Sequence, residues 1–160
     1  MEFLDANGNK YKLPKGKSVN WRISVYALII KDNKVLTVIP TWNTLFELPG
    51  GAVEKNETIL EGLKRECYEE TGYKINIDAD IPFYLSQENF YNRMSKQFYN
   101  SIIMVFKSSL FDKKQNKSII NTADGNEISS VNWTPFKQIT KSNTHRTIYP
   151  AIKKLIKIVK

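Results

Sequence analysis

The stretch GGAVEKNETILEGLKRECYEETGY, Gly50 to Tyr73, sets two adjacent glycines ahead of an isolated Glu57 and then crowds Arg65, Glu66, Glu69 and Glu70 together. Ile59, Leu60, Leu63 and Cys67 recur at three- and four-residue spacing, so a helix is expected from about Thr58 to Thr71, with Gly72 where a helix ends in the left-handed conformation. On that helix Glu66, Glu69 and Glu70 stand at i, i+3 and i+4 and share a face, their Cβ atoms about 5–6 Å apart. At 100° per residue this face lies roughly 80° around the cylinder from the apolar stripe, so the acids border buried surface.

Three anions so close repel one another. A hard divalent cation is the natural compensation, because Mg²⁺ gathers carboxylate oxygens, waters and substrate phosphates into one shell. Taken alone, the three glutamates read equally well as a solvated acidic face. Gly50 and Gly51 add to the first reading, since backbone groups without side chains can approach an ion or a phosphate closely, although a Gly-Gly by itself is usually a turn. Glu57 sits near the helix start, where its charge suits the macrodipole. Arg65 is either its partner or simply the partner of Glu69 at i+4.

The 160-residue chain is within the range of one domain, 1–160, and has no internal repeat and no long Pro-, Gly- or Ser-rich tract. Its only cysteine, Cys67, excludes an intrachain disulfide and a Cys-based zinc site. The polar start and the shortness of the most apolar run, Ile23 to Ile30, argue against a signal peptide or membrane anchor, and a cytoplasmic protein is expected. Net charge is +8, which suits a phosphorylated small molecule, nucleic acid or membrane surface as partner, against the plainer reading of a solvated basic surface. Six of the sixteen acids, Glu54, Glu57, Glu61, Glu66, Glu69 and Glu70, fall in one segment, a negative spot on a positive protein.

Asn7-Gly8 predicts a two-residue hairpin turn near the start, with both residues at positive φ. Trp21–Ile30 and KVLTVIP read as paired strands about the turn signal Asp32-Asn33, the first of them central in a sheet. YKINID and IPFYLS read as strand broken at Pro82, QFYNSIIMVFKS and EISSVNWTP as two more, with DKKQNKS and NTADGN as loops. Ile148, Ile152, Leu155, Ile156 and Val159 form a helical stripe with lysines on other faces, which predicts a terminal helix packed on the sheet, Pro150 in its first turn.

Gly51, Glu57 and the run Arg65-Glu66-Cys67-Tyr68-Glu69-Glu70-Thr71-Gly72-Tyr73 resemble the signature of the Nudix (MutT-like) hydrolases at every fixed position, and Leu48-Pro49-Gly50 ahead of it is similar too. Cys67 and Tyr73 depart at looser positions where the family usually has an aliphatic residue. The box from Gly51 to Tyr73 covers about a seventh of the chain, while WRISVYALI and Glu127 to Pro135 fall where the family places strands. The resemblance implies an α/β (α+β) fold, an α/β/α sandwich with a mixed curved sheet. It further implies attack of water on a nucleoside diphosphate linked to another moiety X, with Mg²⁺ or Mn²⁺. Carried over by position, Glu66, Glu69 and Glu70 are the implied metal ligands, with Glu70 also acting toward the water. The Gly50 carbonyl is a further ligand, and Arg65 with Glu57 braces the site.

Such displacement at phosphorus needs charge neutralisation and positioning, which metals supply. The general base varies in this family. Glu127 is the outstanding candidate for that role or for a further metal ligand, against the reading of a surface loop acid, and Asp124 is a weaker substitute. Gly50, Gly51 and Arg22 are candidates for substrate contact, and Arg93 and Lys96 for guiding an anionic substrate. Tyr91 occupies the window where the diadenosine-polyphosphate subgroup has a tyrosine. Among Trp42, Phe46, Tyr84, Phe90, Tyr91, Phe98 and Tyr99, some are expected to stack on a base and most to be core. Pro82 comes too early for the ADP-ribose subgroup, and neither the coenzyme A nor the NADH signature is present. His145 is expected to cap or begin the last helix in a structural role. Cys67 reads as a small core residue, which counts against the isomerase branch.

The reaction class expected is therefore pyrophosphohydrolysis of a nucleoside triphosphate or nucleotide derivative. The alternatives are removal of diphosphate from RNA 5′ ends, for which nucleic acid would be a partner, and a non-catalytic nucleotide-binding regulatory module. A homodimer is left open.

Overall fold

The computed structural model describes residues 1–120 and 127–159. Strand β3, Val19–Lys31, turns back at Asp32 and Asn33, both in the left-handed region (φ 49° and 57°), into β4, Lys34–Pro40, as a two-residue hairpin requires. Ahead of them stand β1, Glu2–Leu4, and β2, Lys10–Lys12. Next come β5, Gly50–Ala52, helix α1, Ile59–Thr71, β6, Ile75–Ile77, β7, Tyr84–Asn92, and β8, Gln97–Leu110. Then β9, Ile128–Pro135, leads to helix α2, Tyr149–Ile158.

The sheet runs β2-β1-β7-β8-β3-β4-β9, with β5 hydrogen-bonded to β3 and β6 to β8. It is mixed: β3 pairs in parallel with β8 and β1 with β7, while the other pairings are antiparallel. The strand period of two deals side chains to opposite faces. Val25, Ala27 and Ile29 of β3, Leu36 of β4 and Phe106 of β8 form one core with Leu63 and Cys67 of α1. Leu28, Val35, Ile103 and Val105 form the other with Ala151, Ile152 and Leu155 of α2. The fold is an α/β/α sandwich with β3 in the interior of the sheet. Among the described residues no helix is long and apolar enough to cross a membrane.

Helix α1 begins at a capping box: the Glu61 N–H donates to Thr58 Oγ1 at 3.3 Å and the Thr58 N–H to Glu61 Oε2 at 2.8 Å. It ends at Gly72, φ 71°, where a Cβ would collide with the Asn116 carbonyl oxygen. In α2, Pro150 falls in the first turn, and Ile148, Ile152 and Leu155 are buried whereas Val159 is exposed.

Two expectations are corrected. The N-terminal hairpin exists, but its pairing ends at Leu4 opposite Lys10, leaving a five-residue loop in which Gly8 (φ 84°) is left-handed and Asn7 is not. The Asp5 carboxylate closes that loop by accepting the Asn7 and Asn9 N–H groups at 2.9 Å each, an alternative to the tight turn. The strand expected to stop near Ser86 continues to Asn92, because β8 is long enough to pair with all of it, from Tyr84↔Val105 to Asn92↔Gln97. Phe90 and Tyr91 are therefore strand residues. The loop NTADGN lies outside the described residues, and DKKQNKS leads into a short 3-10 turn at Lys117–Ile119.

Candidate active site

The site forms where β5 delivers its glycines to the acidic side of α1. Gly50 has φ 144°, and a Cβ on it would run into the Val25 carbonyl of β3, so the β3–β5 pairing admits only glycine there. A Cβ on Gly51 would stand 2.7 Å from the Glu66 carboxylate, and one on Gly62 2.8 Å from Glu57 Oε1. Gly62 was not singled out from sequence. Its role is to leave room for Glu57 against the helix.

Arg65 ties the site together. Its Nε donates to Glu57 Oε2 at 2.9 Å and its Nη2 to Glu57 Oε1 at 2.7 Å, a bidentate pair. Nη2 also donates to the Ala52 carbonyl at 3.1 Å, and Nη1 meets Glu66 Oε1 and Glu69 Oε2 at 3.1 Å each. The two sequence alternatives for Arg65 are thus both realised. The Arg65 hydrogen bonds, joined by the Glu54 N–H at 2.8 Å, hold the Glu57 carboxyl down at about 2, and reciprocally the Arg65 guanidinium is held more firmly protonated.

The other acids are pushed the opposite way. Desolvation drives Glu66 up to about 7 and the charge of Glu69 adds to this, while Arg65 opposes it. Glu70 is raised well above the ordinary range, first by desolvation and then by the charges of Glu66, Glu47 and Glu127, against a 2.8 Å hydrogen bond from the Gly50 N–H to its Oε2. These are hard oxygen donors with too little positive charge around them, a set that fits Mg²⁺ or Mn²⁺. As placed they are divided: Glu66 and Glu69 face Arg65, Glu70 faces Gly50 through its N–H, and among the described residues no three acidic, histidine or cysteine groups converge on one point. A cation would have to draw them from those partners.

Beside the acids opens a cavity of about 580 Å³, within the range of small-molecule sites. It lies where α2 does not cover its face of the sheet. Arg22, Ser24 and Tyr26 of β3 and Ser101 of β8 line it, and so do Glu47 and Glu127. Glu127, just before β9, accepts the Thr41 N–H on its carbonyl at 2.7 Å and contributes charge felt at Glu70. Asp124 lies outside the described residues.

Glu47 was missed by sequence reading. It bridges Val38 through reciprocal backbone hydrogen bonds of 2.9 Å, accepts Asn43 Nδ2 at 3.1 Å, and raises both Glu70 and the desolvated Tyr26 phenol. The available signal was its place three residues ahead of Gly50 in FELPGG.

Arg22 donates from Nε to Ser24 Oγ at 3.1 Å, sits 5.7 Å from the Tyr99 ring centroid, and its charge reaches Glu66. Tyr91 lines the cavity with its ring packed 4.2 Å from Tyr11 and 4.7 Å from Phe98. Trp42, Phe90 and Arg93 line it too, whereas Phe46 and Tyr84 pack against the α2 core. Lys96 lies in the β7–β8 turn at φ 55°, not among the lining residues. His145 is buried at the cavity; its carbonyl starts the turn before α2, but the helix cap itself is Ile148. Cys67 is fully buried with its thiol pushed up to about 12 by desolvation, an inert core residue. A second depression of about 370 Å³ lies at the Asp32-Asn33 turn, at the other end of β4.

Residues 20–155 match the family model of the NUDIX domain. Among characterised sequences the chain is similar to a MutT-like protein of Streptomyces ambofaciens, 37% identical over 57 residues, which are 35% of this chain and 37% of that protein. It is also similar to an 8-oxo-dGTP diphosphatase of Buchnera aphidicola subsp. Schizaphis graminum, 32% identical over 98 residues, 56% of this chain and 68% of that one. The match to the first therefore spans little more than a third of its length. In three dimensions the fold resembles a Nudix-family hydrolase from Clostridium perfringens with a TM-score of 0.63 at 16% identity, covering 86% of this chain and 97% of that one. Since the matched stretch takes in nearly the whole sandwich, with the glycine corner and the acidic helix inside it, this chain belongs to the NUDIX domain family.

Proposed function

We propose that the protein is a metal-dependent pyrophosphohydrolase that cleaves the diphosphate linkage of a nucleoside diphosphate joined to X, with a nucleoside triphosphate or nucleotide derivative as substrate. The observation that carries this reading is the pair of under-compensated carboxylates, Glu66 and Glu70, held by a glycine corner, with Glu47 and Glu127 of the neighbouring cavity within electrostatic reach of Glu70. The diphosphatase name of the Buchnera relative supports it.

In this reading Glu66, Glu69 and Glu70, with the Gly50 carbonyl, hold Mg²⁺ or Mn²⁺. The ion supplies charge neutralisation at the phosphates and a lowered pKa for bound water. Arg65, clamped by Glu57, keeps Glu66 and Glu69 oriented. Glu70 or Glu127 takes the proton of the attacking water, whose oxygen forms a new bond to phosphorus as the bridging P–O bond breaks. Gly51 leaves the backbone open to a phosphate, Arg22 attracts the anionic substrate, and Tyr91 packs at the wall.

The test is product release from nucleoside triphosphates, dinucleoside polyphosphates, ADP-ribose and sugar nucleotides, each with Mg²⁺ and with Mn²⁺, by wild type and Glu70→Gln. Turnover of a panel member, lowered by at least about a hundredfold in Glu70→Gln, is expected. Undiminished turnover by the variant would overturn the reading, as would no turnover by wild type.

A further inference from the structure

Residues 1–19 fall outside the stretch matched by the family model, yet their hairpin reaches the cavity, which Asp5, Ala6 and Asn7 line. Three restraints hold that loop in place. Strand β1 joins the β7 edge with Leu4 opposite Phe90. Arg146 donates from Nε to the Asp5 carbonyl at 2.9 Å while its Nη1 meets Glu88 Oε2 at 2.6 Å. Asp5, 1% exposed, stitches the loop from within. So anchored, the loop presents the exposed side chain of Asn7, which makes no hydrogen bond among the described residues.

One further residue along the cavity, Ser101, is buried beneath its surface. Ser101 stands in the cross-strand row Glu88–Ser101–Arg22, 4% exposed, and its Oγ has no hydrogen-bond partner among the described residues. Buried hydroxyls are seldom left so. Glu88 beside it is already taken by Arg146 and by the Thr147 hydroxyl at 2.6 Å.

The dimensions point to an extended ligand. From β1 to β3 there are three strand intervals, roughly 14 Å at the usual spacing, and Glu47 bridges to β4 one interval farther. A molecule touching both the acidic end and the hairpin loop is elongated, and Phe90, opposite Leu4, suits a flat ring at its hairpin end.

We infer that the N-terminal hairpin loop is the specificity wall of this cavity: the exposed Asn7 carboxamide hydrogen-bonds the heteroatom edge of the base of a nucleotide whose phosphates point toward the end that Glu47 and Glu127 line. Arg146 is a positioning residue for the wall. The inference rests on the nucleotide reading of the site.

Calorimetric titration of the full chain in millimolar Mg²⁺ with the four nucleoside 5′-monophosphates and with ribose 5-phosphate tests it. Wild type is expected to bind one nucleotide about tenfold or more tighter than ribose 5-phosphate. Asn7→Ala should weaken that nucleotide about five- to twentyfold and leave ribose 5-phosphate unchanged, and Arg146→Gln should erase the preference. Because Asn7 is exposed, its variant keeps the wild-type melting temperature, which separates recognition from folding. Equal binding of the nucleotides and ribose 5-phosphate by wild type, or a preference untouched in Asn7→Ala, would overturn the inference. Failure of the hydrolysis assay would sink the hydrolase reading and leave a calorimetric preference standing.

Discussion

Glu57 and Arg65 meet in two parallel hydrogen bonds, 2.9 and 2.7 Å, that join the loop before α1 to the middle of the helix. The same guanidinium spends its remaining donors on Ala52, Glu66 and Glu69, so one side chain holds the glycine corner, the loop and the acidic face in register.

This pair makes stability depend on acid. The Glu57 carboxyl is depressed to about 2, so its contribution is complete above its unfolded value of 4.5 and is lost as pH falls through about 2. Both side chains are partly exposed, so the contribution is modest. Glu57→Gln is expected to lower the urea stability by about 1–2 kcal/mol at pH 7, with the gap to wild type closing near pH 2. A gap independent of pH would contradict this.

Glu66 has the opposite linkage. With its folded value raised to about 7, the folded chain favours the protonated carboxyl, so stability is full below 4.5 and falls as pH rises through 7. Glu66→Gln should therefore raise the melting temperature of the metal-free protein at pH 8 relative to pH 5. Millimolar Mg²⁺ should stabilise wild type more than the variant. Equal Mg²⁺ shifts in the two proteins would count against Glu66 as a metal ligand.

The adjacent glycines Gly50 and Gly51 are expected to differ sharply. A methyl on Gly50 meets the Val25 carbonyl at a φ that L residues rarely adopt, whereas a methyl on Gly51 meets the movable end of Glu66. Gly50→Ala should cost several kcal/mol, roughly the sum of strain and a lost strand pairing, and Gly51→Ala only about 1 kcal/mol. Thermal denaturation showing equal losses would disprove the distinction.

The capping box predicts a smaller, local effect. Thr58→Ala should destabilise the protein by about 1 kcal/mol, and Thr58→Ser should restore most of it, because the hydroxyl that accepts the Glu61 N–H is retained. Urea denaturation of both variants checks this.

Helix α1 was legible because its evidence is local: four apolar residues at helical spacing and Gly72 at its end coincide with the observed element. The Asp32-Asn33 hairpin was legible for the same reason. The turn at Asn7-Gly8 was misread because Asp5, two residues earlier, offered its carboxylate to the loop amides, a competition that a dipeptide signal does not reveal.

The sequence by itself determined the periods, the breaks and the box, since each depends on residues a few positions apart that constrain one another through the backbone. Only the tertiary structure decided that β3 and β8 run in parallel, that Glu47 stands within electrostatic reach of Glu70, and that a hairpin outside the family match reaches the cavity. Those relations join residues far apart in the chain, and they come into being only when the two apolar faces of the sheet are buried together, one under each helix.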